Sequence, residues 1–232
     1  MSGIPDDLSS RLSYLLERVD RAARASGRSL SDVALLAVVK TVPPGRIRDA
    51  YRLGLKAFGE SRVQEAAAKR PDLGALDGVE WHLIGHLQTN KARKAAELFD
   101  AVQSVDSDRL AAALDAEAER AGKSLRCLAE VKTSPEEAKG GLAPEALDAF
   151  LDRRDRWPRL KFEGLMTVAP AAEDPAVARP FFARLRELAE RRRDVFGPRP
   201  VLSMGMSHDF EAAVAEGSTM IRIGTALFGE RA

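Results

Sequence analysis

A chain of 232 residues, 45% of them hydrophobic and 31% charged, can build a sizeable core under a solvated surface, which excludes an intrinsically disordered protein. Thirty-six Lys and Arg against 35 Asp and Glu leave a formal charge of +1, so no strong field exists to attract nucleic acid or an acidic membrane. The length fits one large domain or two small ones, and a single domain over 1–232, with a helix in 1–28 packed on the rest, is expected.

The N-terminus, Met1 to Asp7, has neither the basic start nor the apolar stretch of a secretory signal. The longest apolar run, Val33 to Val39, falls far short of the roughly 20 residues that cross a bilayer as a helix. A cytoplasmic protein is expected. Leu8, Leu12, Leu15, Leu16, Val19, Ala22 and Ala23 recur at spacings of three and four, an apolar stripe along a helix that Gly27 stops.

Short runs rich in Val, Ile, Leu and Phe follow, each reading as a buried strand: Val33 to Val39, Ala57 to Gly59, Trp81 to Gly85, Ala101 to Val105, Leu125 to Val131, Phe162 to Val168, Val201 to Met204 and Met220 to Ile223. Helical signals lie between them. Ser107 can cap a helix through Leu110, Leu114 and Ala118 that stops at Gly122. Pro175 can open another through Val177, Phe182, Leu185 and Leu188, and 209–216 reads as a shorter one ended by Gly217. Arg153-Arg154 and Arg191-Arg192-Arg193 sit in charge-mixed helical stretches and read as solvated faces. The lone Cys127, between Leu125 and Leu128, reads as a buried small hydrophobe.

The strands are far enough apart for a crossover helix each time, so the α/β pattern predicts a single (β/α)8 TIM barrel with an extra N-terminal helix. An open doubly wound sheet is the alternative. The Gly-x-Gly-x-x-Gly turn of a dinucleotide site is missing after the first strand, which ends Val39-Lys40-Thr41-Val42-Pro43-Pro44.

In a parallel barrel, functional groups gather where strands end. Lys40 stands there, and an ammonium in a partly dry mouth is disfavoured, leaving free amine for a Schiff base. At the other end of the chain, Leu202-Ser203-Met204-Gly205-Met206-Ser207 and Arg222-Ile223-Gly224-Thr225 combine glycines, hydroxyls and an arginine after strands seven and eight, where barrels commonly bind phosphate. A lysine facing a phosphate corner suggests pyridoxal phosphate.

The words Ala37-Val38-Val39-Lys40-Thr41, Phe58 to Glu65, Trp81 to Lys91, Gly164-Leu165-Met166, Leu202 to Ser207 and Arg222 to Gly229 occur in order over nearly the whole chain. In them the sequence resembles the pyridoxal phosphate homeostasis proteins, the YggS-like family, whose barrel is like that of alanine racemases without the second, mostly β domain. The resemblance implies that Lys40 holds pyridoxal 5'-phosphate as an internal aldimine. It implies that Ser207, Gly224 and Thr225, with Ser203 or the backbone at Met204 and Gly205, bind the phosphate. Arg222 would face the pyridine nitrogen, with Ser61, His82 and Met166 just behind the direct contacts.

An arginine opposite the ring nitrogen donates only and makes the ring a weaker electron sink. The resemblance therefore implies a non-catalytic carrier that keeps the aldehyde sequestered and available to recipient apo-enzymes. A racemase or decarboxylase using His82 or another base stays open, as does a regulatory module. No strong dimer signal appears, and a monomer is expected. Val39 stands where the family frequently has serine, and Ser61 and Lys132 stand where it frequently has asparagine. His82 and His86 lack an obvious third ligand, so no metal site is expected. Lys139 reads as a solvated loop lysine or as a group that accepts or hands over the aldehyde.

Overall fold

The structure is a computed structural model and describes residues 7–134 and 140–229. Lys139 lies outside the described residues. Eight strands, β1 (Ala34–Val38), β2 (Ala57–Glu60), β3 (Glu80–Leu83), β4 (Ala101–Val105), β5 (Leu125–Glu130), β6 (Leu160–Met166), β7 (Val201–Ser203) and β8 (Met220–Ile223), pair in parallel in sequence order. Pairing of β1 with β8 closes the barrel.

Among the described residues ten α-helices accompany the strands: α1 (Leu8–Ala25), α2 (Pro44–Arg52), α3 (Val63–Leu73), α4 (Ala92–Leu98), α5 (Asp108–Arg120), α6 (Leu147–Leu151), α7 (Arg179–Arg191), α8 (Arg193–Phe196), α9 (Phe210–Ala215) and α10 (Thr225–Phe228). The main core lies between barrel and helices, where Phe58, Phe99, Phe150, Phe182 and Phe210 are fully buried. Phe150 packs on Trp157 and edge-on against Phe162, at ring separations of 5.1 and 5.6 Å.

The apolar stripe of α1 does what its spacing demands. Leu12, Leu15, Val19 and Ala23 are buried, and the helix packs on α9 and α10. Asp7 caps its start by accepting the Ser10 N–H at 2.9 Å. Ser107 caps α5 by accepting the Leu110 N–H, as its position predicts.

Two local readings are corrected. Residues 175–178 form a 3-10 turn, not the first turn of α7, and Val177 stays exposed because the tighter winding takes it off the apolar face. Arg192 is not solvated: only 8% exposed, its guanidinium reaches Asp148, Asp152 and Asp194 at 3.3, 2.7 and 3.2 Å. A planar donor fork can satisfy several carboxylates at once, which is why this member of the arginine triplet turns inward. Arg153 likewise forks onto Asp108 at 2.7 and 2.9 Å.

Candidate active site at the barrel mouth

Strand alternation decides which residues reach the barrel interior. Ala37 and Val39 belong to the outer core, so Leu36, Val38 and then Lys40 take the inward parity of β1. The β1–β8 register, Leu36 opposite Arg222 and Ala37 opposite Ile223, carries on to bring Gly224 beside Val38. A cavity of about 510 Å³ opens there, lined by Lys40, Thr41, Arg46, Gly224 and Thr225 among others. That volume is in the range of small-ligand sites. Lys40 itself is exposed, so the dry setting expected around its ammonium is not supplied by the protein's own side chains.

The sequence-predicted phosphate groups divide. Thr225 is exposed, Gly224 half-buried, and the half-buried Ser207 joins them by accepting the Ala226 N–H at 3.2 Å. Gly205, at φ +92°, turns the chain where a Cβ would lie 2.5 Å from that of Ala213. Met204 is buried, its carbonyl accepting the Ser218 hydroxyl at 2.8 Å.

Ser203 is placed differently from its expected phosphate role. It is fully buried in the barrel, donates its one hydroxyl hydrogen to Gln103 Oε1 at 2.6 Å and accepts from Arg222 at 2.8 Å. Arg222 also donates to the carbonyls of Ser203 and Thr167, at 2.7 and 2.8 Å. These three bonds leave two of its five N–H groups uncommitted among the described residues. Burial pushes its pKa down to about 10, still well above neutrality.

A donor-only guanidinium orders everything beyond it. The Ser203 hydrogen must point to Gln103, which sets the amide orientation and turns Gln103 Nε2 toward His82 Nδ1, 2.9 Å away. His82 Nδ1 is therefore the acceptor and the neutral ring carries its proton on Nε2. Burial first, then the Arg126 charge, pushes the His82 pKa down to about 4. The His82–His86 pair is split, since His86 is exposed and sits 3.8 Å from Asp106. Among the described residues no group of three His, Cys, Asp or Glu is placed to hold a metal. Met166 is buried at the end of β6, and Ser61 is half-buried after β2.

Sequence reasoning missed Glu130, which ends β5 beside Asp106, His86 and Gly140. Burial, then the Asp106 carboxylate, pushes its pKa up to about 7. A carboxyl with a folded pKa above its unfolded one contributes stability below about pH 4.5 that is lost as pH rises through about 7. Glu130→Gln should therefore be more stable than the parent at pH 8 and nearly equal to it at pH 4. Urea midpoints across that range check this, and a constant difference would refute it.

The model for the alanine racemase N-terminal domain matches residues 12–232, so the closed barrel with a lysine after its first strand is a barrel of the alanine racemase type. The pyridoxal phosphate homeostasis protein of Aquifex aeolicus is 45% identical over 222 residues, covering 95% of this chain and 97% of that one. Its counterpart in Pseudomonas aeruginosa is 41% identical over 224 residues, covering 97% and 96%. Among solved structures, PipY of Synechococcus elongatus with PLP bound superposes with a TM-score of 0.83 at 41% identity, covering 96% of this chain and all of that one. The chain belongs to the pyridoxal phosphate homeostasis protein family.

Proposed function

We propose that this chain is a single pyridoxal 5'-phosphate-binding barrel that carries the cofactor as a Schiff base on Lys40 and serves its homeostasis, handing it to recipient enzymes, without substantial catalysis of its own. The observation that carries the reading is the cavity shared by the Lys40 amine and the Gly224–Thr225 corner, in a family with a PLP-bound member.

The residues present fit that group. Thr225 and Ser207 offer hydroxyls and Gly224 an uncovered backbone for the phosphate, while Arg222 stays cationic with N–H donors to spare for the ring nitrogen. Bound there, the cofactor supplies an aldehyde for reversible covalent attachment. Ser203 supports Arg222 instead of touching phosphate.

The non-catalytic half of the reading is supported by His82, whose basic nitrogen is occupied by Gln103 and whose low pKa leaves it a poor base. The enzyme alternative has its best-placed carboxyl in Glu130, whose pKa burial and the Asp106 carboxylate push up to about 7. Turnover of an amino acid that Glu130→Gln abolishes would establish it.

The deciding experiment is the absorption spectrum of the purified protein with pyridoxal phosphate, then borohydride reduction and peptide mass mapping. A band that borohydride removes, with the label on Lys40, is the expected result. No label, or one spread over surface lysines, would overturn the reading.

A further inference from the structure

Behind the Lys40 strand, on the side facing the helices, a second lysine is packed, half-buried, against the same stretch of backbone. Glu60 ends β2 fully buried, and strand alternation turns it outward to α3. There Lys69 Nζ, on a side chain only 11% exposed, closes on Glu60 Oε1 at 2.6 Å. The same ammonium donates at 2.7 Å to the carbonyl of Val39, the residue before Lys40.

That carbonyl is held from more than one direction. The Val42 N–H also donates to it, at 3.0 Å, and the Val39 N–H is tied to Gly59 O at 2.9 Å. Thr41, directly after Lys40, has φ +62°, a left-handed conformation uncommon for a β-branched residue. The peptide that leads into Lys40 is thus fixed through the Val39 carbonyl, inside a turn closed by the Val42 N–H.

Stability alone is a poor reason for this pair. Removing two charges from water largely offsets their attraction, and a well-packed apolar pair serves a fold as well or better. Here the ion pair also leaves Glu60 Oε2 without a partner among the described residues, and burial pushes the Glu60 pKa up. What an apolar pair cannot supply is a donor to Val39.

We propose that Lys69 is a positioning residue: gripped by Glu60, it holds the Val39 carbonyl and so aims Lys40 into the cavity. The proposal rests on Lys40 being the attachment site. In the step it serves, the free amine of Lys40 adds to the aldehyde carbon, its two hydrogens leave with the carbonyl oxygen as water, and no oxidant or reductant takes part. Misplacing a reacting group by about 1 Å can cost on the order of 100-fold in rate.

The test compares Glu60→Gln with the double variant Glu60→Gln/Lys69→Met, which keeps the packing and leaves no unpaired buried carboxylate. Two quantities are measured: the rate of borohydride-fixed labelling of Lys40 by pyridoxal phosphate, and equilibrium binding of pyridoxine 5'-phosphate, which has the ring and phosphate but no aldehyde. The double variant should label at least about tenfold more slowly while binding pyridoxine phosphate within about twofold of the parent. Glu60→Gln, which keeps the Lys69 donor on Val39, should label within about threefold of the parent. Equal labelling rates in the double variant and the parent would overturn the clamp. So would parallel losses in both measurements or failure of the double variant to fold, either of which would make Lys69 a general structural element. A parent protein that does not label at Lys40 at all would instead sink the attachment site itself.

Discussion

Lys40→Ala is expected to eliminate the borohydride-fixed adduct while leaving a folded barrel that still binds pyridoxine phosphate. Of the described residues lining the cavity, Lys40 carries the one amine, and the neighbouring Arg46 offers a guanidinium, which forms no Schiff base. The side chain is exposed, so its truncation should change stability by no more than about 0.5 kcal/mol. Affinity for pyridoxal phosphate itself should drop by at least about tenfold, ~1.4 kcal/mol, because the proposed covalent link is lost while the contacts proposed for Ser207, Gly224 and Thr225 are left in place. Spectra, mass mapping and equilibrium binding of the two vitamers check these outcomes together. An undiminished adduct in the variant would show that another amine does the work.

The largest stability effect is expected at Gly164→Ala. Gly164 in β6 pairs with Val201 in β7, and a Cβ there would overlap the Val201 carbonyl oxygen and lie 2.6 Å from its nitrogen. Neither can retreat, because both belong to the ladder of a closed barrel in which a shift of one strand moves its neighbours. A loss of more than about 3 kcal/mol, or failure to fold, is expected. Gly45→Ala provides the contrast: it lies in α2 with nothing within 4 Å of an added Cβ, and should be neutral or stabilising by up to about 1 kcal/mol. Similar unfolding midpoints for the two variants would refute the steric account.

The barrel was legible because strands buried on both faces must be written as apolar runs. The segments 101–105 and 220–223 match the observed β4 and β8 end to end. Elsewhere the runs differ from the strands by one or two residues at an end, as at β6, where Leu160 and Lys161 begin pairing before the run at Phe162. What escaped were polar side chains whose meaning depends on parity and on partners far away in sequence. Gln103 sits inside a run that reads as apolar, and nothing local says that it faces inward to His82 and Ser203. Lys69 lies in a stretch without a local motif to mark it, yet its long stem lets the ammonium turn back to the strand wall. Arg192 is one of three consecutive arginines, and only the fold shows which of them meets aspartates from α6 and its end. Val39 is a smaller case: its side chain belongs to the outer core, so a valine there extends the apolar packing, and its carbonyl is the atom facing Lys69.

The chain of hydrogen bonds from Arg222 through Ser203 and Gln103 to His82 runs in one direction only. A proton wire needs members that can both give and take, so that a charge entering at one end resets the links behind it. Arg222 has no lone pair with which to take a proton, and an amide such as Gln103 passes its own hydrogens on but does not exchange one for another. The chain is therefore no wire for protons: a proton taken up at one of its ends is not relayed to the other.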